Sequence, residues 1–264
     1  MMTRASDISE WIRQQVTAAG ARGVVVPLTG GFDSAVVARL SQMAVPGRVV
    51  CAILPCRSDP RDEEDAESVA LRFELPVVRR DLGPAYDDLV RDLGATLLDL
   101  RPEPADSEPT SDMSGTRLAG FNLKPRLRMS ALYFIAESLN CLLAGAGNRS
   151  ELTVGSFAKY AEAAVDLLPL GGLLEGEVRA LAHELEVPDP VINRVRDAGP
   201  MTRELDEEHM GFSYADLDRY LNAGPDGVSP ALAMRIERLL RTSEHKRALA
   251  RIPESPSGGS IGFD

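Results

Sequence analysis

The stretch from Val24 to Arg39, VVVPLTGGFDSAVVAR, decides the fold. Its first part, from Val24 to Leu28, is the continuous apolar run of a strand that is covered on both faces. Gly30-Gly31 then allows a sharp turn with outward-pointing N–H groups, and a helix begins at Asp33-Ser34. The stretch therefore predicts a buried strand, a tight turn and a helix.

The turn has the composition of a phosphate-binding site. Free amides, the positive end of the following helix dipole and the hydroxyls of Thr29 and Ser34 would all favour an anion. The pattern is not the G-x-x-x-x-G-K-[ST] loop, because the lysine and the longer spacing are missing. Asp33 cannot bind phosphate directly at neutral pH, so it indicates a divalent metal between the two. The alternative is an ordinary turn between a strand and a helix.

The composition of the chain is that of a globular protein. Its 264 residues are 44% hydrophobic and 26% charged, and we expect one domain over 1–264. The formal net charge of −11 argues against a nucleic-acid-binding face. No apolar run approaches the roughly 18 residues of a membrane span, and no signal peptide is recognised. We therefore expect a cytoplasmic protein that binds neither nucleic acid nor membrane. The three cysteines lack metal-ligand spacing and are expected to be buried, reduced thiols.

Strand-like and helical segments alternate along the chain. After the first strand, further strands are predicted at 48–54, 77–81 and 141–144, and 164–170 is either a last strand or an extended approach to a helix. Such alternation implies parallel βαβ units with ligands at the carboxyl edge of the sheet. The expected fold class is α/β, with a doubly wound, Rossmann-like parallel sheet and helices on both faces.

Three segments lack this regular pattern. Residues 101–117 are rich in Pro, Ser and Asp and are expected to form a mobile surface loop. Residues 194–208 have weak periodicity, which predicts a loop that orders only with ligand. Residues 253–264 are expected to be a loose tail. A long helix from Asn122 is apolar on more than one side, and a second subunit could cover the extra face.

A second loop of small residues follows the strand at 141–144. It has the sequence GAGNRSE, from Gly145 to Glu151. Because parallel strands end at the same edge of a sheet, this loop is expected to open on the same edge as the first.

Six segments, in order, resemble one family over nearly the whole chain. They are VVVPLTGGFDSAVVARL, NLKPRLRM, GAGNRSE, FAKYAEAAVDLLPL, DEEHMGFSYADLDRYL and SEHKR. The family is the ammonia-dependent NAD⁺ synthetases, of the N-type ATP pyrophosphatase or PP-loop class. The resemblance implies a five-stranded parallel sheet, a homodimer and a two-step reaction. ATP would adenylate the nicotinate carboxylate of deamido-NAD with loss of pyrophosphate, and ammonia would then displace AMP to give NAD⁺.

The resemblance also implies roles for single residues. The positions that would bind the co-substrate ATP are Leu28, Thr29, Gly30, Gly31, Phe32, Asp33, Ser34 and Ala146. Those that would bind the dinucleotide are Arg126, Lys159, Asp166, His245 and Lys246. Asp33 and Glu151 would carry Mg²⁺, and the catalytic group would be Asp33, Ser34 and Lys159. Each has a plain alternative: Arg126, Lys246 and Glu151 as solvated charges, Lys159 as a loop charge and Asp166 as a turn former.

The chain departs from the family pattern at its ligand loops. Glu175 stands where the family usually has a lysine for the ATP phosphates, and the neighbouring Arg179 is a candidate to compensate for the reversed charge. Other departures are Ala161, Ala163 and Ala164 for glycines, Ala146 for a threonine, and 197–200, which lacks the family's hydroxyl.

These changes leave two further functions open. One is a relative that amidates a different carboxylate through an acyl-adenylate, and the other is an inactive ATP-binding relative. No catalytic cysteine of a glutaminase is recognised, so the expected nitrogen source is ammonia, either free or passed from a partner.

Overall fold

The computed structural model describes residues 3–99, 112–194, 210–248 and 250. Within these residues the centre is a sheet of four parallel strands in the spatial order β3-β2-β1-β4. The strands are β1 (Gly23–Pro27), β2 (Val49–Ile53), β3 (Val77–Arg79) and β4 (Cys141–Leu143). The strand of the opening stretch, β1, therefore has a neighbour on each side, and its terminal Pro27 lies where the chain leaves the sheet.

Helices connect the strands and cover both faces of the sheet. They are α1 (Arg4–Ala18), α2 (Phe32–Ala44), α3 (Pro60–Arg72), α4 (Gly83–Asp99), α5 (Asp112–Leu139), α6 (Arg149–Val154), α7 (Glu175–Glu184), α8 (Asp189–Asn193), α9 (Tyr214–Ala223) and α10 (Pro230–Arg247). The α/β fold class is confirmed. In the described part of the chain, no helix has the length and apolar character needed to cross a membrane.

The core is divided by β1, because the side chains of a strand alternate between its two faces. Val24 and Val26 pack on one side with residues of α1, α2 and α7, whereas Val25 packs on the other side with Met129 and Leu132 of α5. All three valines are fully buried. The uninterrupted apolar run in the sequence is thus a strand with no solvent-facing side.

The fifth strand expected over 164–170 is reduced, in the described residues, to one parallel bridge between Ala144 and Leu167. Asp166 explains why pairing stops. Its Oδ2 accepts a hydrogen bond from the backbone N of Leu143 at 2.7 Å, and its own N donates to Leu143 O at 3.0 Å. Pro169 has no N–H with which to extend a ladder. The expectation of five strands is therefore wrong for the described residues, and the segment reaches α7 through bends and turns.

The long helix α5 begins at Asp112 rather than near Asn122. The end of the predicted 101–117 loop is therefore helical, and the loop prediction is wrong for 112–117. No proline lies between Asp112 and Pro125, so the sequence there does not interrupt a helix. Residues 101–111, most of the predicted 194–208 loop and the predicted tail at 253–264 lie outside the described residues.

The three cysteines are free thiols, but Cys141 is only partly buried, so the expectation of burial is wrong for that residue. Cys51 lies in β2 and Cys56 in the loop after it, and both are fully buried. Burial raises the pKa of Cys51 to about 12. A thiol in such surroundings stays protonated and acts as a small core residue, as its sequence context predicts.

The C-terminal helices form a smaller third cluster. Val154 of α6, Leu217 of α9 and Ile236 of α10 are buried together. Because α6 follows the loop after β4, this cluster lies at the carboxyl edge of the sheet. It brings the last turn of α10 to that edge.

The turn after β1 requires glycine at position 30. Gly30 has a φ of +79°, and an added Cβ would lie 2.4 Å from the backbone O of Asp62. A side-chain rotation can relieve neither the strain nor the clash. We expect Gly30→Ala to lower the free energy of unfolding by roughly 2–4 kcal/mol, as measured by urea denaturation.

Gly20→Ala is the matched control. Gly20 also has a positive φ, +63°, but an added Cβ there meets no heavy atom within 4 Å. It should show only the strain of the left-handed conformation, about 1 kcal/mol. Equal losses in the two variants would contradict the close approach of α3 to the glycine turn.

Candidate active site at the carboxyl edge of the sheet

The glycine turn after β1 is held by its own hydroxyls. Thr29 donates from N and Oγ1 to Ser34 Oγ at 3.2 and 3.3 Å, and Ser34 Oγ donates to Gly31 O at 2.8 Å. Gly31 is the N-cap of α2, and no side chain caps this helix. An anion bound here would therefore occupy the place of a capping side chain.

Asn148 joins the two loops that the sequence predicts to meet. It is fully buried and caps α6, since its Oδ1 accepts from Glu151 N at 3.0 Å while Glu151 Oε2 accepts from Asn148 N at 3.1 Å. Its Nδ2 donates to Asp33 Oδ1 at 3.3 Å. The two predicted metal ligands, Asp33 and Glu151, thus contact the same residue. Asn148 is not among the site residues predicted from the sequence, although Asn148 and Glu151 have the spacing of a capping box.

Glu175 enters this site from α7. It is the first residue of the helix and only 6% exposed, and its Oε2 accepts a hydrogen bond from Asn148 Nδ2 at 3.2 Å. One turn later, Arg179 places a guanidinium nitrogen 3.6 Å from Glu175 Oε1. The same guanidinium lies 4.6 Å from the centre of the Phe32 ring. The neighbour named from the sequence as the compensating charge does lie beside Glu175.

The donor set at this edge fits a magnesium ion that is shared with a phosphate. Asp33 and Glu151 supply carboxylate oxygens, the ligands that Mg²⁺ prefers. Across 3–99, 112–194, 210–248 and 250, no group of three or more His, Cys, Asp or Glu residues is arranged to hold a metal ion. A magnesium ion here would take its remaining oxygens from water or from a bound nucleotide, as is usual for this ion.

Four of the five residues predicted to bind the dinucleotide gather between α5, the loop after α6 and α10. Arg126 Nε donates to the backbone O of Lys159 at 3.1 Å, and Lys159 Nζ donates to the backbone O of His245. Lys246 Nζ donates to the backbone oxygens of Gly155 and Phe157 at 2.7 and 2.8 Å. This places three formal positive charges around one loop.

The contacts of Asp166, the fifth of these residues, are those of a turn former. Its carboxylate accepts from Leu143 N and, at 3.2 Å, from the hydroxyl of Tyr133. Burial, together with the negative charge of Asp166, raises the pKa of Tyr133 to about 12. Through these contacts, Asp166 fixes the end of the loop after α6 to β4 and α5.

The alanines that replace family glycines lie in a compact turn. Ala161 is fully buried, and Glu162 Oε2 accepts from Ala158 N at 3.0 Å. Burial of the Glu162 carboxyl group raises its pKa, even though other atoms of the residue are exposed. An added Cβ on Gly145 would lie 2.8 Å from Val165, so this turn presses closely on the second loop. Ala146, in that loop, packs against the main core.

A separate hollow of about 270 Å³ lies away from this site. Its lining comes from the second half of α2, the end of α3 and the turn after α7: Arg39, Gln42, Arg72, Phe73, Glu74 and Glu186. Since α2 begins at the carboxyl edge and runs away from it, the hollow does not belong to the predicted ATP site.

Comparison with known proteins identifies the family. The model of the NAD synthase family matches residues 4–250. The chain belongs to the NAD synthase family. The ammonia-dependent NAD⁺ synthetase of Carboxydothermus hydrogenoformans is 40% identical over 253 residues, which are 96% of each protein. The resemblance drawn from the six segments is confirmed, and this family member is a ligase of NAD⁺ biosynthesis with ATP as co-substrate.

Solved structures agree with this assignment to the NAD synthases. The structure of NMN synthetase from Francisella tularensis superposes with a TM-score of 0.82 at 27% identity, over 96% of this chain and 98% of that chain. The NAD⁺ synthetase from Burkholderia pseudomallei gives a TM-score of 0.73, also at 27% identity, over 94% and 90% of the two chains.

Asn148→Asp tests the junction between the loops. The change would set a third carboxylate in a buried position between Asp33 and Glu175, and we expect it to lower the free energy of unfolding by roughly 3–5 kcal/mol at neutral pH. The pKa of the new carboxyl group would be raised by its neighbours. The decrease in the free energy of unfolding should therefore be largest above that pKa, where the new carboxyl group is charged, and should become smaller as the pH falls towards about 5. Urea denaturation across this pH range measures it.

Asn148→Ala is the control, because it removes the two hydrogen bonds that Nδ2 donates, and also the cap to Glu151 N, without adding a charge. Its loss should be about 1–2 kcal/mol and should change little with pH. Equal, pH-independent losses in both variants would contradict the placement of Asn148 between two carboxylates.

Proposed function

We propose that this enzyme adenylates the nicotinate carboxylate of deamido-NAD with ATP and then transfers ammonia to it, giving NAD⁺, AMP and pyrophosphate. The observation that carries the proposal is the junction at Asn148, where the glycine turn with Asp33 meets the loop with Glu151. The 40% identity to an ammonia-dependent NAD⁺ synthetase supports the choice of reaction.

The first step makes a poor electrophile reactive. An oxygen of the nicotinate carboxylate attacks the α-phosphorus of ATP, and the bond from that phosphorus to the bridging oxygen of pyrophosphate breaks. The amides at the start of α2, with Thr29 and Ser34, would bind the phosphate oxygens on which negative charge grows. Leu28, Phe32 and Ala146 would line the nucleotide site. Asp33 and Glu151 would hold Mg²⁺, whose charge offsets that of the departing pyrophosphate.

The second step needs no covalent enzyme intermediate. Ammonia attacks the carbonyl carbon of the acyl-adenylate, the C–N bond forms, the C–O bond to AMP breaks and the nitrogen loses a proton. We assign Arg126, Lys159, His245 and Lys246 to the dinucleotide, because the positive charges of the arginine and the two lysines can balance its phosphates and His245 lies beside them. Asp166 is assigned to the same substrate, through the segment that it fixes to β4.

A second acceptor deserves a direct comparison. Because a solved structure that superposes on this chain is called an NMN synthetase, nicotinic acid mononucleotide is the second carboxylate that we would test. Ala161 is fully buried where the family has a glycine, and Ala163 and Ala164 in the same turn are partly buried, so a difference in acceptor would arise from the shape of this turn. The same acyl-adenylate chemistry would then give NMN.

Purified protein with ATP, Mg²⁺, ammonium and deamido-NAD should form NAD⁺ and release equal amounts of AMP and pyrophosphate. Asp33→Asn keeps the shape of the side chain but removes its charge, and we expect it to lower kcat by roughly 100-fold or more. Chromatographic separation of NAD⁺ and AMP measures the product yield of the native chain and the kcat of the variant. Asp7→Asn, an exposed acid in the first turn of α1, is the matched control and should keep the activity of the native chain.

The outcomes separate the candidate functions. A higher kcat/KM with nicotinic acid mononucleotide than with deamido-NAD would select the second acceptor. ATP binding without release of AMP, with either acceptor, would mean an inactive ATP-binding relative. Near-native turnover by Asp33→Asn would refute the metal role of this carboxylate.

We also propose that two copies pair through α4 and α5. The described parts of these helices expose large apolar side chains: Leu89, Val90, Leu93, Leu97, Leu118, Phe134 and Leu139. Phe134 alone is 74% exposed. Several exposed large apolar side chains on two helices that contact each other are typical of a subunit interface.

Phe134→Glu should convert the dimer to a monomer at micromolar concentration, because it buries a charge in an apolar interface. Size-exclusion chromatography with light scattering measures the mass. Leu71→Glu is the matched control, since Leu71 lies on α3 and is 81% exposed. A dimer that survives Phe134→Glu unchanged would rule out this surface.

A further inference from the structure

Arg179 is fixed beside the start of α2 by three contacts. Its guanidinium lies over the Phe32 ring at 4.6 Å, one nitrogen donates to Ile192 O at 2.7 Å, and another lies 3.6 Å from Glu175 Oε1. Phe32 is the first residue of α2 and immediately precedes Asp33. The Arg179 side chain is still 34% exposed, so its guanidinium is open to a ligand.

The carboxylates at this edge create a need for positive charge. Asp33, Glu151 and Glu175 all contact Asn148, and a bound nucleoside triphosphate would add several negative charges to the same region. Like charges this close repel strongly where water is partly excluded. One divalent metal ion cannot offset three carboxylates and a triphosphate, so a protein cation beside the glycine turn would stabilise the complex.

Helix α7 supplies this cation through a side chain rather than through its N-terminus. The N of Glu175 donates to Ser150 Oγ at 3.2 Å, and the N of Gly176 donates to Asp218 Oδ2 at 3.0 Å. The first two amides of the helix are therefore already paired, the second with a carboxylate. The positive group that α7 presents near Phe32 is the guanidinium of Arg179.

We infer that Arg179 binds the phosphates of ATP and that Glu175 is the positioning residue that holds it. This inference rests on the proposed function, since it assumes ATP at the glycine turn. Arg179 carries a planar fork of donors that suits phosphate oxygens. Glu175 is buried, accepts a hydrogen bond from Asn148 and faces Arg179, so it connects the cation to the junction that holds Asp33.

The test is the kinetics of Arg179 variants with saturating acceptor and ammonium. Arg179→Ala should raise the KM for ATP by about tenfold or more, while the KM values for the carboxylate acceptor and ammonium change by less than about twofold. The KM of Arg179→Lys for ATP should lie between those of the native chain and Arg179→Ala, because lysine keeps the charge but lacks the planar fork of donors. Arg72→Ala is the matched control, as Arg72 pairs with Glu186 on the surface and should leave every KM unchanged.

Two further variants test Glu175. Glu175→Gln can keep the hydrogen bond to Asn148 but loses the ion pair, and it should raise the KM for ATP by about threefold while Arg179 is present. In the Arg179→Ala background the same change should have no further effect on that KM. Independent, additive effects of the two changes would overturn the positioning role of Glu175.

The failure of this inference can be told from the failure of the proposed function. If the native chain turns over ATP but Arg179→Ala lowers only the melting temperature and leaves the KM for ATP unchanged, Arg179 is a packing residue and the inference is overturned. If the native chain forms no amide with either acceptor, the proposed function is overturned. In that case calorimetric titration of ATP into the native chain and into Arg179→Ala still decides the inference, which requires weaker binding by the variant.

Discussion

One buried amide group sets the geometry of the site. Asn148 Nδ2 donates to Asp33 at 3.3 Å and to Glu175 at 3.2 Å, and the same residue caps α6 through Glu151. An amide is neutral and carries two donors, so it can lie between two carboxylates without adding charge. A buried aspartate in its place would repel both acids, and an alanine would remove a donor from both. The relative positions of the two loops depend on this residue.

The sheet makes that contact possible. Strand β1 has β2 on one side and β4 on the other, so the chain leaves β1 in one direction and returns to its opposite side much later. The loops after β1 and β4 therefore open side by side, at the point where the strand order reverses and where ligands of such folds bind. The valines of β1 stabilise this arrangement, because their alternation packs helices on both faces of the sheet, while the parallel pairing of β1 with β2 and β4 puts both loops at one edge.

Local patterns predicted most of the fold, whereas side chains that act over long distances in sequence were not foreseen. The apolar run and the glycines specified β1, its turn and α2 within one stretch. The prediction of a fifth strand failed because the side chain of Asp166 accepts the hydrogen bond from Leu143 N that a backbone carbonyl of a neighbouring strand would accept. The role of Asn148 was hidden because its partner Asp33 lies 115 residues away. Hydrophobic periodicity carries no information about such polar contacts, although the capping box at Asn148 was visible in the sequence.

The acid at position 175 shows how a site can keep its charge balance while a single position reverses sign. The family pattern has a lysine there, and this chain has a glutamate whose side chain is only 7% exposed. Four residues later on the same helix, Arg179 lies one turn of about 5.4 Å further along the axis. Its guanidinium faces both Glu175 and the first residue of α2. A buried acid beside a phosphate site would be unfavourable alone, but paired with this arginine it becomes a support for the cation. If Arg179 binds the phosphates as we propose, the positive charge is displaced by one helical turn rather than lost, and the reversal at 175 is compatible with the use of ATP.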